Sequence, residues 1–530
     1  MRSAFLNLAL ILCGASAASG QAGRADFNVT DYGAKGDGAT LATEAIQKAV
    51  DACAQAGGGR VLLPAGRYLS GPIFLRSNLE FHIGAGATLL GSTDFSHYPP
   101  IEGRWEGIER KVHASLLTGL DLENLSVTGR GTIDGQGQAW RDAFMKTREA
   151  RKKAGITERE PDDPPGAPLQ LPRPRLINLY RCKNVLLTGI KLVDSPSWTI
   201  HPVYCEDLTI DGLSLLMAPD AVNADGINPD SCKNVRIANC YLSTGDDCIT
   251  IKSGYNADGR RVGKPCENIT VTNCTFARGH GGVVIGSEMS GDVRNVVISN
   301  CVFDGTDEGI RIKSARGRGG IVENIRATNL VMRNVGIAFS LNMYYQSGGG
   351  RKTTAPVDEG TPTFREIHYS DVTIVDAGKV AVFEGLPERA LEHVSLSNVV
   401  VVTAKTGIVC SSARNVAFRN VTVNAAEGPA LRCRDVGDLD IREFTTRKPL
   451  TGTPVIQLEN VVDTVVSGCR APEGTGTFLE IRGEKSRGVA LADNLFRKAA
   501  SGVTSLTTTG ISLSPAFCAA RQRRSPAMIW

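Results

Sequence analysis

An internal repeat of short strand-like units limits what this chain can fold into more than any other feature. Residues 184–192 (NVLLTGIKL) are echoed by 234–242 (NVRIANCYL), 268–276 (NITVTNCTF), 295–303 (NVVISNCVF), 324–332 (NIRATNLVM) and 415–423 (NVAFRNVTV). Looser copies surround Leu208, Ile367, Val394 and Leu439, and most starts fall 22 to 34 residues apart. Each unit alternates apolar and polar residues, turns and runs on into a second strand, so it cannot bury its apolar face alone; stacking the units buries it. Asn239, Asn273, Asn300, Asn329, Asn398 and Asn420 share one turn position, where an amide can bond to its neighbours in the stack. Cys240, Cys274 and Cys301 share the next and read as stacked core thiols. The expected fold is all-β, a right-handed parallel β-helix with adjacent turns about 4.8 Å apart. A leucine-rich or helical repeat would need another apolar pattern.

One helix is legible. Ala42, Ala45, Ile46, Ala49, Val50 and Cys53 recur at helical spacing, with Thr40 as a candidate N-cap and three glycines at 57–59 as the stop. It is expected to cap the N-terminal end of the stack, where open strand edges would otherwise invite aggregation. Two stretches interrupt the repeat: residues 138–174, charged and proline-rich, and residues 348–362, glycine-rich and polar. Both read as surface loops.

Residues 1–22 combine Arg2, an apolar run too short to span a bilayer and a series of small residues, the pattern of an export signal. The expected organisation is this signal peptide, a single domain over 23–500 and a tail over 501–530 that includes RQRR at 521–524. The protein is therefore expected to be exported, periplasmic or extracellular, without a membrane span and monomeric. Removing Arg2, the only charged residue of the signal, takes the formal charge from +4 to +3, which argues against broad nucleic-acid binding. Of 14 cysteines, loss of Cys13 leaves 13, so at least one cannot pair within the molecule; no zinc-type spacing occurs.

The chemistry concentrates between Asn223 and Lys313, which reads NADGINPDSC, STGDDCITIKSG, RGHGGVVIGSE and DEGIRIKSA. Asp225, Asp230, Asp246 and Asp247 are followed by His280, Arg311 and Lys313. A strand series aligned on Ile227, Ile249, Val283, Ile310 and Ile337 sends the first and third following residues to the solvent face. That face collects Asn228 and Asp230, then Thr250 and Lys252, then Gly286, then Arg311 and Lys313, with Asp246, His280 and Asp307 three places before their references. The turn rise of about 4.8 Å is close to one sugar unit. Glycoside hydrolysis needs one protonated and one ionised carboxyl group, and crowding carboxylates raises the pKa of at least one. Arg311 and Lys313 could pair with an acidic sugar, and His280 could orient the acid. Each motif alone has a plainer reading: Asp-Asp and Asp-Gly as turns, Arg-Ile-Lys as an exposed strand face. Their coincidence at one phase of one repeat favours function. Trp105, Trp140 and Trp198 read as packing residues before sugar platforms.

Asn-Pro-Asp (228–230), Asp-Asp (246–247), Gly-His-Gly (279–281) and Arg-Ile-Lys (311–313) resemble, in order and spacing, the motifs of glycoside hydrolase family 28, the polygalacturonases. The similarity extends over roughly residues 26–430. The resemblance implies hydrolysis of α-1,4-galacturonosyl bonds of pectin or polygalacturonate with inversion, without metal or cofactor. It implies Asp246 as general acid, Asp230 and Asp247 as the groups that position and deprotonate water, and His280 as support for the acid. Arg311 and Lys313 would bind the galacturonate carboxylate, with Asn228, Lys252 and Tyr344 or Tyr345 in the cleft. Pro229 departs from the family's Thr, and strict alternation turns Asp247 inward. The Asn-Pro-Asp variant, Ser287-Glu288-Met289 and the two inserts lean toward exo action. Rival expectations are a rhamnogalacturonan or xylogalacturonan hydrolase of the same family, a Ca²⁺-dependent pectate lyase, and a non-catalytic polysaccharide-binding β-helix.

Overall fold

The computed structural model describes residues 26–156, 167–345, 353–505 and 511–513. Three stacks of parallel strands wind around one apolar core. The first stack takes the repeat strands, from Asp26–Asn28, Gly59–Leu63 and Leu79–Ile83 through Lys183–Thr188, Glu206–Asp211, Lys233–Ala238 and Cys266–Thr272 onward. The second runs through Thr132–Asp134, Lys191–Val193, Ser214–Leu216 and Tyr241–Ser243. The third, which carries the site, runs through Leu117–Leu120, Ile177–Tyr180, Ile200–Val203, the bridges at Ile227 and Asp230, and Ile249–Ile251. The expected parallel β-helix is what forms.

The turns explain the asparagines. Asn239, Asn273, Asn300, Asn329, Asn398 and Asn420 all have φ between 51° and 57°, a left-handed conformation that asparagine tolerates better than most residues. Asn273 donates to Asn239 (3.3 Å), Asn329 to Asn300 (2.7 Å) and Asn420 to Asn398 (3.0 Å). A second amide column, not anticipated, joins the residues that open each repeat: Asn268 donates to Asn234, Asn295 to Asn268 and Asn324 to Asn295, at 3.0–3.2 Å. Cys240, Cys274 and Cys301 are buried, and each thiol points at the carbonyl two residues back at 3.1–3.3 Å.

Several expectations need correction. Helix α1 spans Thr43–Gln55 and buries Ile46, Ala49, Val50 and Cys53 against the first turns, as a cap should. Its N-cap is Ala42, however; Thr40 lies in the preceding strand with its hydroxyl on Asp37 (2.7 Å), so the local Asp-Thr bond wins over capping. Residues 138–153 are not loop but belong to α2 (Gly137–Lys153). Only a thin face of α2 is apolar: Trp140 and Ala143 pack with Tyr98 and Leu169 in a satellite core, and the basic remainder masks the helical period. A third helix, α3, covers Asn256–Val262. Ile310 pairs with Phe339, while Ile337 stands level with Glu308, two residues off the expected register. The stack also runs past residue 500, since Ser501–Ser505 pairs with Thr477–Ile481 and Ile511–Leu513 with Val489–Leu491. Residues 353–358 and 361–362 carry no regular structure, as a loop requires. The signal at 1–22 and the RQRR stretch lie outside the described residues. No helix among the described residues is long and apolar enough to cross a membrane.

Candidate active site

Three carboxylates meet where the chain enters two successive strands of the third stack. One oxygen each from Asp225, Asp246 and Asp247 lies within 4.8 Å of the others. Asp225 stands two residues before Ile227 and Asp247 two before Ile249, and Ile227 bridges Ile249, so the two acids occupy equivalent places in adjacent turns. Gly226 N–H donates to the Asp247 carbonyl (3.0 Å). The chain is still bending there, which is how Asp247 escapes the inward side that strict alternation would give it.

Their environments differ. Asp225 and Asp247 are 3% and 2% exposed, whereas the Asp246 side chain keeps 22% of its surface open beside His280, which is 56% open. His280 Nδ1 lies 3.2 Å from Asp246 Oδ1, and its backbone N–H donates to the Asp246 carbonyl (3.0 Å). Lys313 Nζ donates to Asp247 Oδ2 (2.8 Å). Asp247 Oδ1 has no hydrogen-bond partner among the described residues and lies against Gly281, where a Cβ would stand 3.1 Å from it. Any larger residue at 281 would press on this carboxylate.

Burial pushes the Asp225 carboxyl well above its ordinary range, and the neighbouring charges of Asp246 and Asp247 add to the effect. For Asp246, burial acts in the same direction but is overcome by the His280 hydrogen bond, so it is held low. His280 is raised by that same bond. One carboxyl is raised, but it is Asp225, and burial contributes more to this than the crowding of Asp246 and Asp247. Because its folded value lies above the ordinary 3.8, the stability it contributes is present at low pH and is lost as pH rises through the folded value. Asp225→Asn should therefore gain melting temperature relative to wild type as pH rises above the ordinary carboxylate value of 3.8, checked by calorimetry from acid to neutral pH. A variant that becomes relatively less stable as pH rises contradicts this.

Asp230, assigned with Asp247 to the water, is elsewhere. It is 0% exposed and paired with Arg104 Nη1 (2.9 Å), with His201 Nε2 at 3.4 Å. Burial would raise Asp230, but the Arg104 charge overrides it and holds the carboxyl low. Arg175, fully buried and pulled down to about 9 by burial, donates to the Arg104 carbonyl. Burial lowers His201 to about 4, so it is neutral here. Asp230 thus anchors the hairpin Pro100–Trp105 and Ile108–His113 on the stack. Asn223-Ala224-Asp225, five residues earlier, has the same Asn-x-Asp spacing and is the copy that reaches the acid cluster. Its equivalence to Asp247 is visible in the sequence, where Asp225-Gly226 also reads as a plain turn.

The polar stripe forms, but not as a solvent face. Asn228 and Thr250 are 0% exposed and Lys252 is 4% exposed. Lys252 pairs with Glu288 (3.1 Å) under the Trp198 ring, 4.6 Å from its centroid, and Trp198 stacks on Trp105 of the hairpin. Asn228 makes no side-chain hydrogen bond among the described residues. Gly107 of the hairpin packs on Gly254 and Tyr255, and Arg318 lies over Tyr255 at 3.9 Å and donates to the Ser287 carbonyl. Alternation predicts which side chains leave the core and says nothing of what lies over them.

The cationic end also changes. Lys313 reaches back to the acids instead of standing two turns away, and burial, which lowers it, is outweighed by Asp247. Arg311 keeps 17% of its side chain exposed, 3.1 Å from Glu308, a residue the sequence reading missed. Burial raises Glu308, with Arg311 opposing. Tyr345 is the tyrosine at the site: its ring lies 5.3 Å from the Arg311 guanidinium and 5.1 Å from Lys313 Nζ. Tyr344 is 7% exposed and belongs to the core.

The outward column of this stack is covered at one end. Register places His201, Asn228, Thr250, Val284, Arg311, Ser340, Val382 and Val409 in line. His201, Asn228, Thr250 and Val284 are 0% exposed, Arg311 is partly open, Ser340 is 3% exposed, Val382 is half-buried and Val409 is 37% exposed. The hairpin thus covers the upstream end of this column through Arg104 on Asp230 and Trp105 on Trp198, and the face opens downstream.

Among the described residues, Asp225, Asp246 and Asp247 are the grouping that could hold a cation. The Lys313 ammonium on Asp247 already compensates part of that charge. A buried acid trio with one open member beside an imidazole, on a parallel β-helix, defines a polysaccharide-cleaving enzyme of the glycoside hydrolase type. Residues 166–428 match the family "Glycosyl hydrolases family 28", and residues 27–101 match the family "Rhamnogalacturonase A/epimerase, pectate lyase-like". A probable polygalacturonase of Vitis vinifera is 33% identical over 384 residues, covering 71% of this chain and 74% of that one. An endo-polygalacturonase of Pectobacterium carotovorum subsp. carotovorum is 32% identical, covering 69% and 85%. The crystal structure of a hyperthermoactive exopolygalacturonase from Thermotoga maritima superposes with a TM-score of 0.61 at 32% identity, covering 74% of this chain and 92% of that one. The chain belongs to glycosyl hydrolases family 28 and is a polygalacturonase-type hydrolase; relatives at about this identity include both exo- and endo-acting enzymes.

Proposed function

We propose that this protein is an exported, exo-acting polygalacturonase, a monomer that cleaves α-1,4-galacturonosyl bonds with inversion. The observation that carries the exo reading is the closure of the outward column upstream of the acids, set against its opening downstream. A blocked cleft admits a chain end and not a chain interior.

In this reading Asp246, the one open carboxyl of the trio, protonates the leaving oxygen. Covering His280 with a sugar strips solvent from its imidazolium, and the shared proton passes across 3.2 Å to Asp246. Asp247 accepts a proton from water on its unpartnered Oδ1 while Lys313 holds Oδ2, and Asp225 orients the same water. The water oxygen bonds to the anomeric carbon as the carbon–oxygen bond to the leaving sugar breaks. Arg311, steadied by Glu308 and under Tyr345, takes a galacturonate carboxylate.

The trio is tight. In two-carboxylate glycosidases, separations of about 5–5.5 Å suit direct attack and about 6.5–9.5 Å leave room for water. Here the closest oxygens lie within 4.8 Å. Inversion therefore needs the water seated on Asp225 and Asp247 together, opposite the leaving group. Proton NMR of the first product formed decides this: the β-anomer is expected, and the α-anomer would instead make one of these two carboxylates a nucleophile.

The product profile on polygalacturonate tests the reading as a whole. Short products without an intermediate ladder are expected from the outset, and an early ladder of oligomers would mean endo action. An unsaturated product absorbing in the ultraviolet would mean elimination, as in a pectate lyase. Full activity on the polymer after Arg311→Ala would favour a rhamnogalacturonan or xylogalacturonan substrate.

A further inference from the structure

The corner that carries Asp246 and His280 continues down the solenoid to a cavity the proposed chemistry does not use. His280 N–H bonds the Asp246 carbonyl, and the register then aligns His280 with Asp307, Gly336, Gly378 and Lys405 in successive turns. At Gly336 and Gly378 no side chain stands in the column. At its end lies a cavity of about 400 Å³ lined by Gly378, Thr403, Lys405, Asn424, Ala425 and Lys448, among others. A second hollow shares Ala425 and Lys448 and extends the trough past Gly428 to Thr453.

We infer that this trough is a remote binding site for a run of acidic sugars, with Lys405 and Lys448 as its cations. The inference rests on the proposed polygalacturonate chemistry and extends it. Four turn steps from His280 to Lys405 amount to about 19 Å, the length of a few sugar units, so a chain cleaved at Asp246 has its distal carboxylates level with Lys405. The trough lies on the open side, where the outward column reaches Val409. Its floor is of small residues, Gly378, Ala404, Ala425 and Ala426, over which a saccharide ring can lie. Lys405 is 67% exposed, and its nearest carboxylate, Glu427, is 4.0 Å away at 63% exposure, a loose pair that an incoming carboxylate can replace. The acid at the rim, Asp376, is engaged by the Thr403 hydroxyl (2.5 Å) and the Asn424 amide by the Val401 and Val402 carbonyls. The Thr403 hydroxyl is neutral and leaves the Asp376 charge in place, but the two ammonium groups outnumber it in the lining.

The test compares wild type with the Lys405→Gln/Lys448→Gln double variant on digalacturonate and on long polygalacturonate. Expected are an unchanged KM on the dimer, a KM on the polymer raised about threefold to tenfold and a flatter salt dependence of kcat/KM, two exposed ion pairs being lost. Both lysines are solvated, so melting temperature should hold, which separates a binding effect from a folding one. In the Asp246→Asn background, affinity for octagalacturonate should fall by the same factor while that for digalacturonate stays constant. Unchanged polymer KM, in this variant and in Lys405→Glu/Lys448→Glu, overturns the trough and leaves the active-site reading intact. Failure of the wild type to cleave any galacturonate overturns both.

Discussion

Asp246→Asn should lower kcat by about 100-fold to 10,000-fold with KM nearly unchanged, the usual contribution of a general acid. The amide preserves the shape of the side chain and can still accept from the Asp247 N–H, now 2.9 Å from Asp246 Oδ1. It cannot pass a proton to a leaving oxygen. Because Asp246 is the open member of the trio, its loss should leave the fold intact and remove chemistry alone. The decisive measurement is kcat on a galacturonate oligomer carrying a good leaving group, such as a nitrophenol. Such a substrate needs little protonation, so the variant should recover much of its rate there. Equal losses on both substrates would move the acid role away from Asp246.

Asp230→Ala should do the reverse: unfold the molecule easily and show no special deficit in chemistry. The carboxylate is fully buried on Arg104, itself fully buried, with Arg175 behind it. Removing one member of a buried ion pair costs about 3–5 kcal/mol because the other charge remains unpaired in a poor solvent. The loss should appear as a lower melting temperature and earlier proteolysis of the hairpin at 100–113. Arg104→Ala/Asp230→Ala together should recover part of it, since neither charge is then stranded. A folded Asp230→Ala protein with normal stability and no turnover would restore Asp230 to the water-activating role that motif spacing first gave it.

The contrast between these two aspartates shows where sequence reasoning reaches and where it stops. A period of two and a repeat of about one turn fixed the fold, the core and the side of the sheet on which Asn228, Thr250, Lys252 and Arg311 emerge, because these depend on local geometry alone. What lies over that side depends on contacts far apart in sequence. Arg104 meets Asp230 across 126 residues, and nothing in a strand pattern forecasts it. The same limit hid α2, whose narrow apolar face is outnumbered by lysines and arginines. Asp225 is a different kind of miss. Its position two residues before Ile227, matching Asp247 before Ile249, was legible, but the Asn-Pro-Asp three residues later looked more like a motif. Tyr344 and Tyr345 could not be separated by phase, because the strand ends at Asn342 and alternation with it.

The columns of core sulfur carry a consequence for how the molecule can be made. The 12 cysteines within the described residues are all buried thiols, none joined to another, and several point their sulfur at a backbone carbonyl of the turn. Solenoid stability here is a sum of turn-on-turn contacts, and among the described residues no covalent staple joins one turn to another. Folding of the described solenoid should therefore need no oxidant: material produced in a reducing cytoplasm is expected to be as active, before and after treatment with dithiothreitol, as material recovered from an oxidising compartment.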